Sequence, residues 1–559
     1  MRGGRCECTF SSVNTEEGVT SMASAESQKF FNVADTFVDR NVRQGRGHKV
    51  AVYTRHRNYT YNDIQKMVNK TANALIDLGV RIEDRVMMLL LDVPQFHAIF
   101  WGAIKIGAVP IPVNTMLTPE DYEYYLNDSR ARVLVVSEEI LPVINRIEGD
   151  LHYLRDLIVI SEVHGARIPF RQKYKRAPAT VKTARTSKDD VAFWLYSSGS
   201  TGSPKGAVHS QHDMVVTSRS YAKGVLGLTE DDVCFSAARL FFAYGLGNGL
   251  YFPMAAGASA VLSPDPPKPE GVFAMLRDFR PTVFFGVPTL FGQMLDWKAA
   301  RDREAGVEPD PDGDHELSSV RICVSAGEAL PPSIYRRWKD RFGVEILDGI
   351  GSTEMLHIFL SNRIGEVRPG STGKPVPGYE LKLVDDEGDE VPQGEIGTLL
   401  VKGESGAQLY WHKREKTRRT MIGEWVNTGD KYFVDEDGFW WCAGRSDDML
   451  KVGGIWVSPV EVENLLDTHE AVRECAVVGA KDAKGLVKPK AFVVLKEGYE
   501  PTEALAGKIQ AFALENMAKF KYPRWIEFIP EIPKSTTGKI QRYKLRERTG
   551  AEPGDQAVA

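Results

Sequence analysis

Residues 196 to 210 read YSSGSTGSPKGAVHS and follow the apolar run VAFWL. Ser197, Ser198, Ser200, Thr201 and Ser203 offer hydroxyl groups, Gly199, Gly202 and Gly206 let backbone N–H groups come close, and Lys205 adds a positive charge. A loop of that make-up suits a polyphosphate, because amides and hydroxyls can surround the oxygens while the lysine neutralises them. It is not a Walker A loop, since Lys205 stands between Pro204 and Gly206 and the G-x-x-x-x-G-K-[ST] order is missing. The bland alternative is a flexible Gly/Ser linker. Linkers do not usually set hydroxyls, glycines and a lysine directly after a buried strand.

Three other places carry residue types suited to chemistry. In DGIGSTEM, residues 348 to 355, Thr353 and Glu354 lie just past the apolar run EILDGIG, at a strand end of the kind where α/β proteins bind ligands. A carboxylate is the hard oxygen ligand that Mg²⁺ accepts while it bridges phosphates; the alternative is a plain turn. Lys539 sits in the polar, Gly-bearing stretch PKSTTGKIQ, where a lone lysine is ordinarily a solvated charge. His357, the one polar side chain of MLHIF, reads equally as a satisfied core histidine or a ligand contact.

In chain order, the loop at 196 to 210, SAGEAL (325 to 330), DGIGSTEM, TGD (428 to 430), GRSDDMLKVGG (444 to 454) and PKSTTGKIQRYKLR (533 to 546) resemble the signature series of the adenylate-forming superfamily. That superfamily spans acyl-CoA synthetases, peptide-synthetase adenylation domains and luciferases, and the resemblance covers essentially residues 30 to 550. It implies ATP, Mg²⁺ and coenzyme A as cofactors. Ser198, Gly199, Ser200, Thr201, Gly202 and Lys205 would then cradle phosphates, Glu354 and Thr201 the metal, and Thr353 the α-phosphate. Ala326, Gly327 and Glu328 would lie near the adenine, with Asp348, Gly349 and Ile350 also binding the nucleotide. Asp430 would hold the ribose hydroxyls, backed by the donor fork of Arg445. Lys539 would reach the α-phosphate and the carboxylate, Asp447 would be a hinge, and Gly453 and Gly454 would line a pantetheine tunnel.

The segment ARLFFAYGLGNGLYFPMAAGA, residues 238 to 258, reads on its own as core packing, a strand leading into a buried helix. It resembles the stretch in which benzoate-CoA ligases use an Ala-Tyr-Gly run as one wall of a flat pocket. Ala243 and Tyr244 would therefore face an aromatic ring, with Ala326, Gly351, His357 and Ile358 completing the pocket. Many acyl-CoA synthetases carry a histidine where FFAYG stands here, a departure that weakens acetate or a long-chain fatty acid as substrate. The reaction expected is ATP, a benzoate-type acid and CoA giving aroyl-CoA, AMP and diphosphate through an acyl-adenylate. The alternatives are a hydroxy- or aminobenzoate-CoA ligase, an adenylating enzyme that loads a carrier protein, and a non-enzymatic nucleotide binder. Against the last stand Lys205, Thr353, Glu354, Asp430, Arg445 and Lys539, all intact.

These residues need a scaffold that presents loops at strand ends. VAVYT, RVMMLLL, AVPIPV, RVLVVS, TVFFGVP, RICVSAG and EILDGIG read as buried strands alternating with helical patterns. In YNDIQKMVNKTANALIDLG, Ile64, Met67, Val68, Ala72, Leu75 and Ile76 recur at helical spacing up to a closing glycine. The fold expected is α/β: a large N-terminal body over 29 to 445, with a smaller β-rich part after residue 375, and a small mobile α+β domain over 446 to 559. Residues 1 to 28 lack folding periodicity and an apolar h-region, and read as a disordered extension.

Composition narrows the partners. A formal net charge of −5 gives no global basic field for nucleic acid or anionic lipid. No apolar run approaches the roughly 18 to 20 residues that span a bilayer. The 6 cysteines show no CxxC pair and read as reduced thiols in a cytoplasmic protein. A small aromatic acid and CoA are the partners expected, and a homodimer is left open.

Overall fold

The computed structural model describes residues 30–160, 173–197, 204–306, 315–452, 455–482, 486–534 and 540–549. Each run read as a buried strand forms one. At the centre is a 9-stranded sheet. Its inner strands, Val50–Tyr53, Ser259–Val261, Val233–Ser236, Val283–Gly286, Ile322–Ser325 and Ile346–Gly351, are all parallel. Parallel strands end on the same edge, so the residues that follow Ser236, Gly286, Ser325 and Gly351 emerge together. Beyond them the chain reverses into the antiparallel strands Ile358–Ser361 and Lys374–Pro375. A second sheet of 4 parallel strands takes Val109–Pro112, Arg85–Leu89, Val133–Ser137 and Asp156–Ile160.

Two smaller antiparallel sheets position chemistry. One is the hairpin Val191–Ser197 and Lys205–Ser210, joined by Leu409–Tyr410. The other is built from Glu380–Val384, Gly397–Lys402, Met421–Ile422, Trp425–Val434 and Trp440–Arg445, the β-rich part expected after residue 375. After Arg445 come the short hairpin Leu450–Val452 and Ile455–Val457, then the sheet Val472–Lys481, Val487–Leu495 and Trp525–Phe528 with helices Pro459–Leu466, Glu503–Asn516 and Arg542–Arg548. Leu450, Val457, Val462, Leu466, Val477 and Ile509 share a core of their own. The core clusters of the preceding chain contain no residue beyond Cys442.

Local chemistry explains the helix Tyr61–Asp77. Thr60 accepts from the Asp63 N–H while Asp63 reaches back to the Thr60 N–H, a capping box that satisfies donors left over by the first turn. Ile64, Val68, Ala72 and Leu75 are buried as their spacing requires, but Ile76 is 47% exposed. Its angle is that of the buried Asn69 and Ala72, but it stands in the last turn, one residue before the helix ends at Asp77.

The buried lysine of this layer is paired. Lys105, 2% exposed, puts its ammonium 2.7 Å from Asp39 Oδ2 and donates to Asn69 Oδ1 at 2.7 Å. The pair tethers the helix Pro94–Lys105 to the turn at Asp35–Asp39. Removing one partner leaves a buried charge uncompensated, which costs about 3 to 5 kcal/mol, whereas an exposed pair is worth under about 1 kcal/mol. Lys105→Met should therefore lower the urea midpoint of unfolding sharply, while Arg43→Ala, which removes the exposed Arg43–Asp35 pair, should leave it nearly unchanged.

Candidate active site

The phosphate-type loop joins two strands of one hairpin, with Ser197 paired opposite Lys205. Ser198, Gly199, Ser200, Thr201 and Gly202 lie outside the described residues, as do Gly453, Gly454 and Lys539. Lys205 is described. Its Nζ lies 3.4 Å from the Tyr410 hydroxyl and 4.5 Å from the centre of the Tyr410 ring. Burial pushes the Lys205 pKa down, and the Glu354 carboxylate nearby opposes that shift.

Thr353 and Glu354 occupy the turn between the strands Ile346–Gly351 and Ile358–Ser361. The turn is held from several sides. The Ala407 N–H donates to the Glu354 carbonyl at 2.7 Å, and the Ser405 hydroxyl to the Met355 carbonyl at 2.9 Å. The Tyr410 hydroxyl donates to Glu354 Oε1 at 2.6 Å, and Ser197 Oγ lies 3.4 Å from the same oxygen. His209, wholly buried, places Nε2 2.8 Å from the Thr353 carbonyl oxygen and Nδ1 2.7 Å from the Asp213 carboxylate. The strand that carries His209 is the one that begins at Lys205. Lys205, Thr353 and Glu354, separated by some 150 positions, are thus brought together. Tyr410 and His209 escaped the sequence reading because their roles arise from strand pairing and not from local spacing.

The nucleotide candidates fall at neighbouring strand ends. Ser325 and Asp348 are opposite each other in parallel strands, placing Ala326 and Gly327 beside Gly349 and Ile350. Asp348 is buried, burial pushes its pKa well above the carboxylate range, and its Oδ1 has no partner among the described residues. A neutral acid with an orphaned oxygen fits a ligand that brings its own donor. Glu328 Oε1 accepts from the Ile540 N–H at 3.1 Å, so the residue that follows Lys539 is docked at this edge. Asp430 and Arg445 are opposed in their sheet, and Arg445 Nη1 donates to Asp430 Oδ1 at 3.0 Å and to the Thr428 carbonyl at 3.0 Å. The Asp430 carboxylate raises the Arg445 pKa. Asp447 follows directly on that strand end.

The expected pocket residues also converge. Residues 243 to 256 form one helical run whose middle, Gly247–Tyr251, is a π-turn, a form often found at functional sites; the preceding residues 238 to 242 are not the strand expected. Ala243 and Tyr244 open this run, and the Tyr244 hydroxyl donates to the Val324 carbonyl at 3.0 Å. At its other end the Tyr244 carbonyl lies 3.3 Å from His357 Nε2, which is also 3.2 Å from Asn248 Oδ1. His357 packs among Tyr221, Tyr244 and Phe252, with ring centres 5.4, 5.7 and 4.4 Å away. Burial lowers its pKa to about 3, so the ring is neutral. Two glycines permit this crowding: a Cβ on Gly247 would stand 2.4 Å from His357 Cδ2, and one on Gly351 would stand 2.5 Å from the His357 carbonyl oxygen. Gly351 pairs with the buried Ile358 across the turn.

The Glu354 carboxylate and the Lys205 ammonium are thus neighbours, Asp430 and Arg445 are paired, and Tyr244 and His357 pack together at the far end of the Glu354 turn. The AMP-binding enzyme family model matches residues 38–411, and the AMP-binding enzyme C-terminal domain model matches residues 461–539. The chain is 50% identical to a benzoate-CoA ligase of Thauera aromatica, over 92% of this chain and 96% of that one. It is 44% identical to a 4-hydroxybenzoate-CoA/benzoate-CoA ligase of Rhodopseudomonas palustris, over 93% and 94%. The crystal structure of the anthranilate CoA ligase AuaEII in complex with anthranoyl-AMP superposes with a TM-score of 0.86 at 47% identity, covering 93% of this chain and 97% of that one. Since both family models match in chain order and the relatives align along nearly their whole length, the chain belongs to the AMP-binding enzyme family, the adenylate-forming acyl-CoA synthetases.

Proposed function

We propose that this chain is an AMP-forming aryl-CoA ligase for benzoate-type acids. The observation that carries the reading is the two-ended fixation of Tyr244, hydroxyl to Val324 and carbonyl to His357, which makes a rigid aromatic wall beside the turn of Thr353 and Glu354. A flat ring fits such a slot, while a long flexible chain would need a deeper one. Similarity to the benzoate- and hydroxybenzoate-CoA ligases supports the same substrate class.

A carboxylate is a poor acyl donor because attack on it would have to expel oxide. In the first step the carboxylate oxygen attacks the α-phosphorus of ATP, the bond to the β-phosphate oxygen breaks, and diphosphate leaves an acyl-AMP anhydride. In the second the CoA thiol attacks the acyl carbon and AMP departs. Lys205 neutralises the phosphates, Thr353 orients the α-phosphate, Asp430 with Arg445 grips the ribose, and Lys539 stabilises the charge that builds as two anions meet. Glu354, with Thr201, would hold Mg²⁺, whose charge would offset that of the phosphates. Tyr410 orients the Glu354 carboxylate.

The two steps need different partners at one carbon. We assign residues 446–559 to a separate domain that turns about Asp447, bringing Lys539 for the first step and the Gly453–Gly454 backbone along the CoA arm for the second. The separate core of this part and the docking of Ile540 on Glu328 support that assignment. The reading places the reaction in the cytoplasm, in keeping with free thiols at Cys234, Cys323, Cys442 and Cys475; among the described residues no helix is long and apolar enough to cross a membrane.

Thioester formation measured across benzoate, 4-hydroxybenzoate, 2-aminobenzoate, cyclohexanecarboxylate, acetate and octanoate should favour benzoate-like acids by about tenfold or more, roughly 1.4 kcal/mol. A win for acetate or octanoate would refute the aromatic slot and leave the adenylating chemistry standing. Asp447→Pro, which fixes φ near −65° at the hinge, should spare acyl-AMP formation and cripple thioester formation; equal loss of both would remove Asp447 from that role. Tyr410→Phe removes a hydrogen bond to a carboxylate worth about 1.5 to 3 kcal/mol. It should raise the KM for Mg-ATP by about tenfold and leave the KM for benzoate near its starting value.

A further inference from the structure

Asp448, directly after the proposed hinge residue, is gripped by the last helix of the described chain. Arg546 Nη1 lies 2.9 Å from Asp448 Oδ1, and Arg542 Nη1 lies 3.6 Å from Asp448 Oδ2. Each carboxylate oxygen thus faces its own guanidinium. Arg546 Nη1 also donates to the Asp447 carbonyl at 3.3 Å. Arg542 turns its other arm to Glu463, whose carboxylate oxygens accept from Nη2 at 2.8 and 2.7 Å, and Glu463 Oε1 accepts in turn from the Val477 N–H at 2.7 Å. The Asp448, Arg542 and Glu463 side chains are at most 16% exposed, and that of Arg546 is 22% exposed. Partly buried, multiply bonded pairs of this kind keep far more of their coupling than surface pairs do.

The clamp joins two stretches 98 positions apart. At one end is the hinge. At the other, the helix Arg542–Arg548 begins two residues after Ile540, which bridges to Lys534 and docks on Glu328 at the nucleotide edge. The hairpin Leu450–Val457 moves with the hinge because it follows Asp448 within two residues of chain. The Ile540 dock has no such covalent shortcut.

From this asymmetry we infer that Arg546 is a positioning residue: through Asp448 it makes rotation at Asp447 carry the Ile540 dock as one body, setting the first half-reaction without touching a substrate. The inference rests on the two-step reading above. The helix itself is held independently of Arg546, by Leu545, which is fully buried against Ala476, Val478 and Phe492, and by the Arg542–Glu463 pair. Loss of Arg546 should therefore leave the domain folded.

The test uses the full chain with Arg546→Met, Arg546→Lys, Asp448→Asn and Lys539→Ala. Acyl-adenylate formation is read as benzoate-dependent exchange of labelled diphosphate into ATP, thioester formation as CoA consumption from supplied benzoyl-AMP, and folding as the melting temperature. Arg546→Met and Asp448→Asn should slow the first step about tenfold, as a misplaced group does. They should change the second by less than about threefold and keep a single cooperative melt, its midpoint lowered by loss of a partly buried pair, with Arg546→Lys falling between Arg546→Met and the parent because it keeps the charge and loses the planar donor fork. Equal loss in both steps would reduce the clamp to a structural prop, and no loss in either would abolish it. Lys539→Ala separates the two levels. If it cripples adenylation while Arg546→Met does nothing, the clamp alone is wrong; if it leaves adenylation untouched, the two-step reading fails and the clamp falls with it.

Discussion

The site hangs from one short turn, Ser352 to His357, between the last parallel strand of the central sheet and the antiparallel strand that returns beside it. Its first half carries Thr353 and Glu354, and its last residue, His357, closes on Tyr244. In the proposed reaction the phosphate end of one substrate and the ring of the other would thereby be referred to the same few peptide units. Such a turn would be loose alone, since it makes few bonds of its own. Instead its carbonyls are claimed in order by His209, Ala407 and Ser405, from two separate segments of the chain. Leu356 sits at φ 67°, in the left-handed region that costs a branched side chain roughly 1 to 3 kcal/mol, and those outside bonds hold it there.

Charge is distributed along this edge in a way that suits joining two anions. Around Tyr244 burial works against charge: it lowers the His357 pKa to about 3 and pushes that of Asp348 up. Toward the phosphate hairpin the groups are charged and paired, with Lys205 beside Glu354 and Arg445 on Asp430. A neutral slot accepts an aromatic ring without desolvating a fixed charge, and a charged rim receives the polyphosphate. The boundary between the two runs through the Thr353–His357 turn, where the carboxylate and the α-phosphate must meet.

How far the sequence disclosed this depended on whether a feature is local. Parallel strands buried on both faces appear as unbroken apolar runs, so TVFFGVP, RICVSAG and EILDGIG were readable at once, and so was the rule that ligands collect at their ends. Residues held in a fixed spacing by one turn or one strand pair, such as Thr353 with Glu354, stood out for the same reason. Tyr410 did not, because its approach to Glu354 needs the strand Leu409–Tyr410 to pair with Lys205–Ser210 from some 200 positions away. His209 was hidden in the same way, its strand neighbour being obvious and its partner at Thr353 not. Ile76 misled in the opposite sense: an apolar residue at the right angle is left exposed when it falls in the last turn of its helix.

The linkage between the last helix and the hinge belongs to this second, non-local class, and it accounts for a division of labour in the fold. Binding a nucleotide and a flat acid asks for rigidity, which the central sheet and the pinned turn provide. Exchanging a lysine for a thiol at one carbon asks for motion, which a small domain with its own core can make without disturbing that sheet. Motion is useful only if what moves arrives accurately, so the moving part must itself be stiff from pivot to working end. Core packing alone would let a short helix slide by a fraction of an ångström, because dispersion contacts are weakly directional. Paired arginines on a single carboxylate at the pivot are directional, and four residues apart on one helix they share a face. Placing them at Asp448 therefore fixes the angle of that helix at the point where a small error would be amplified most.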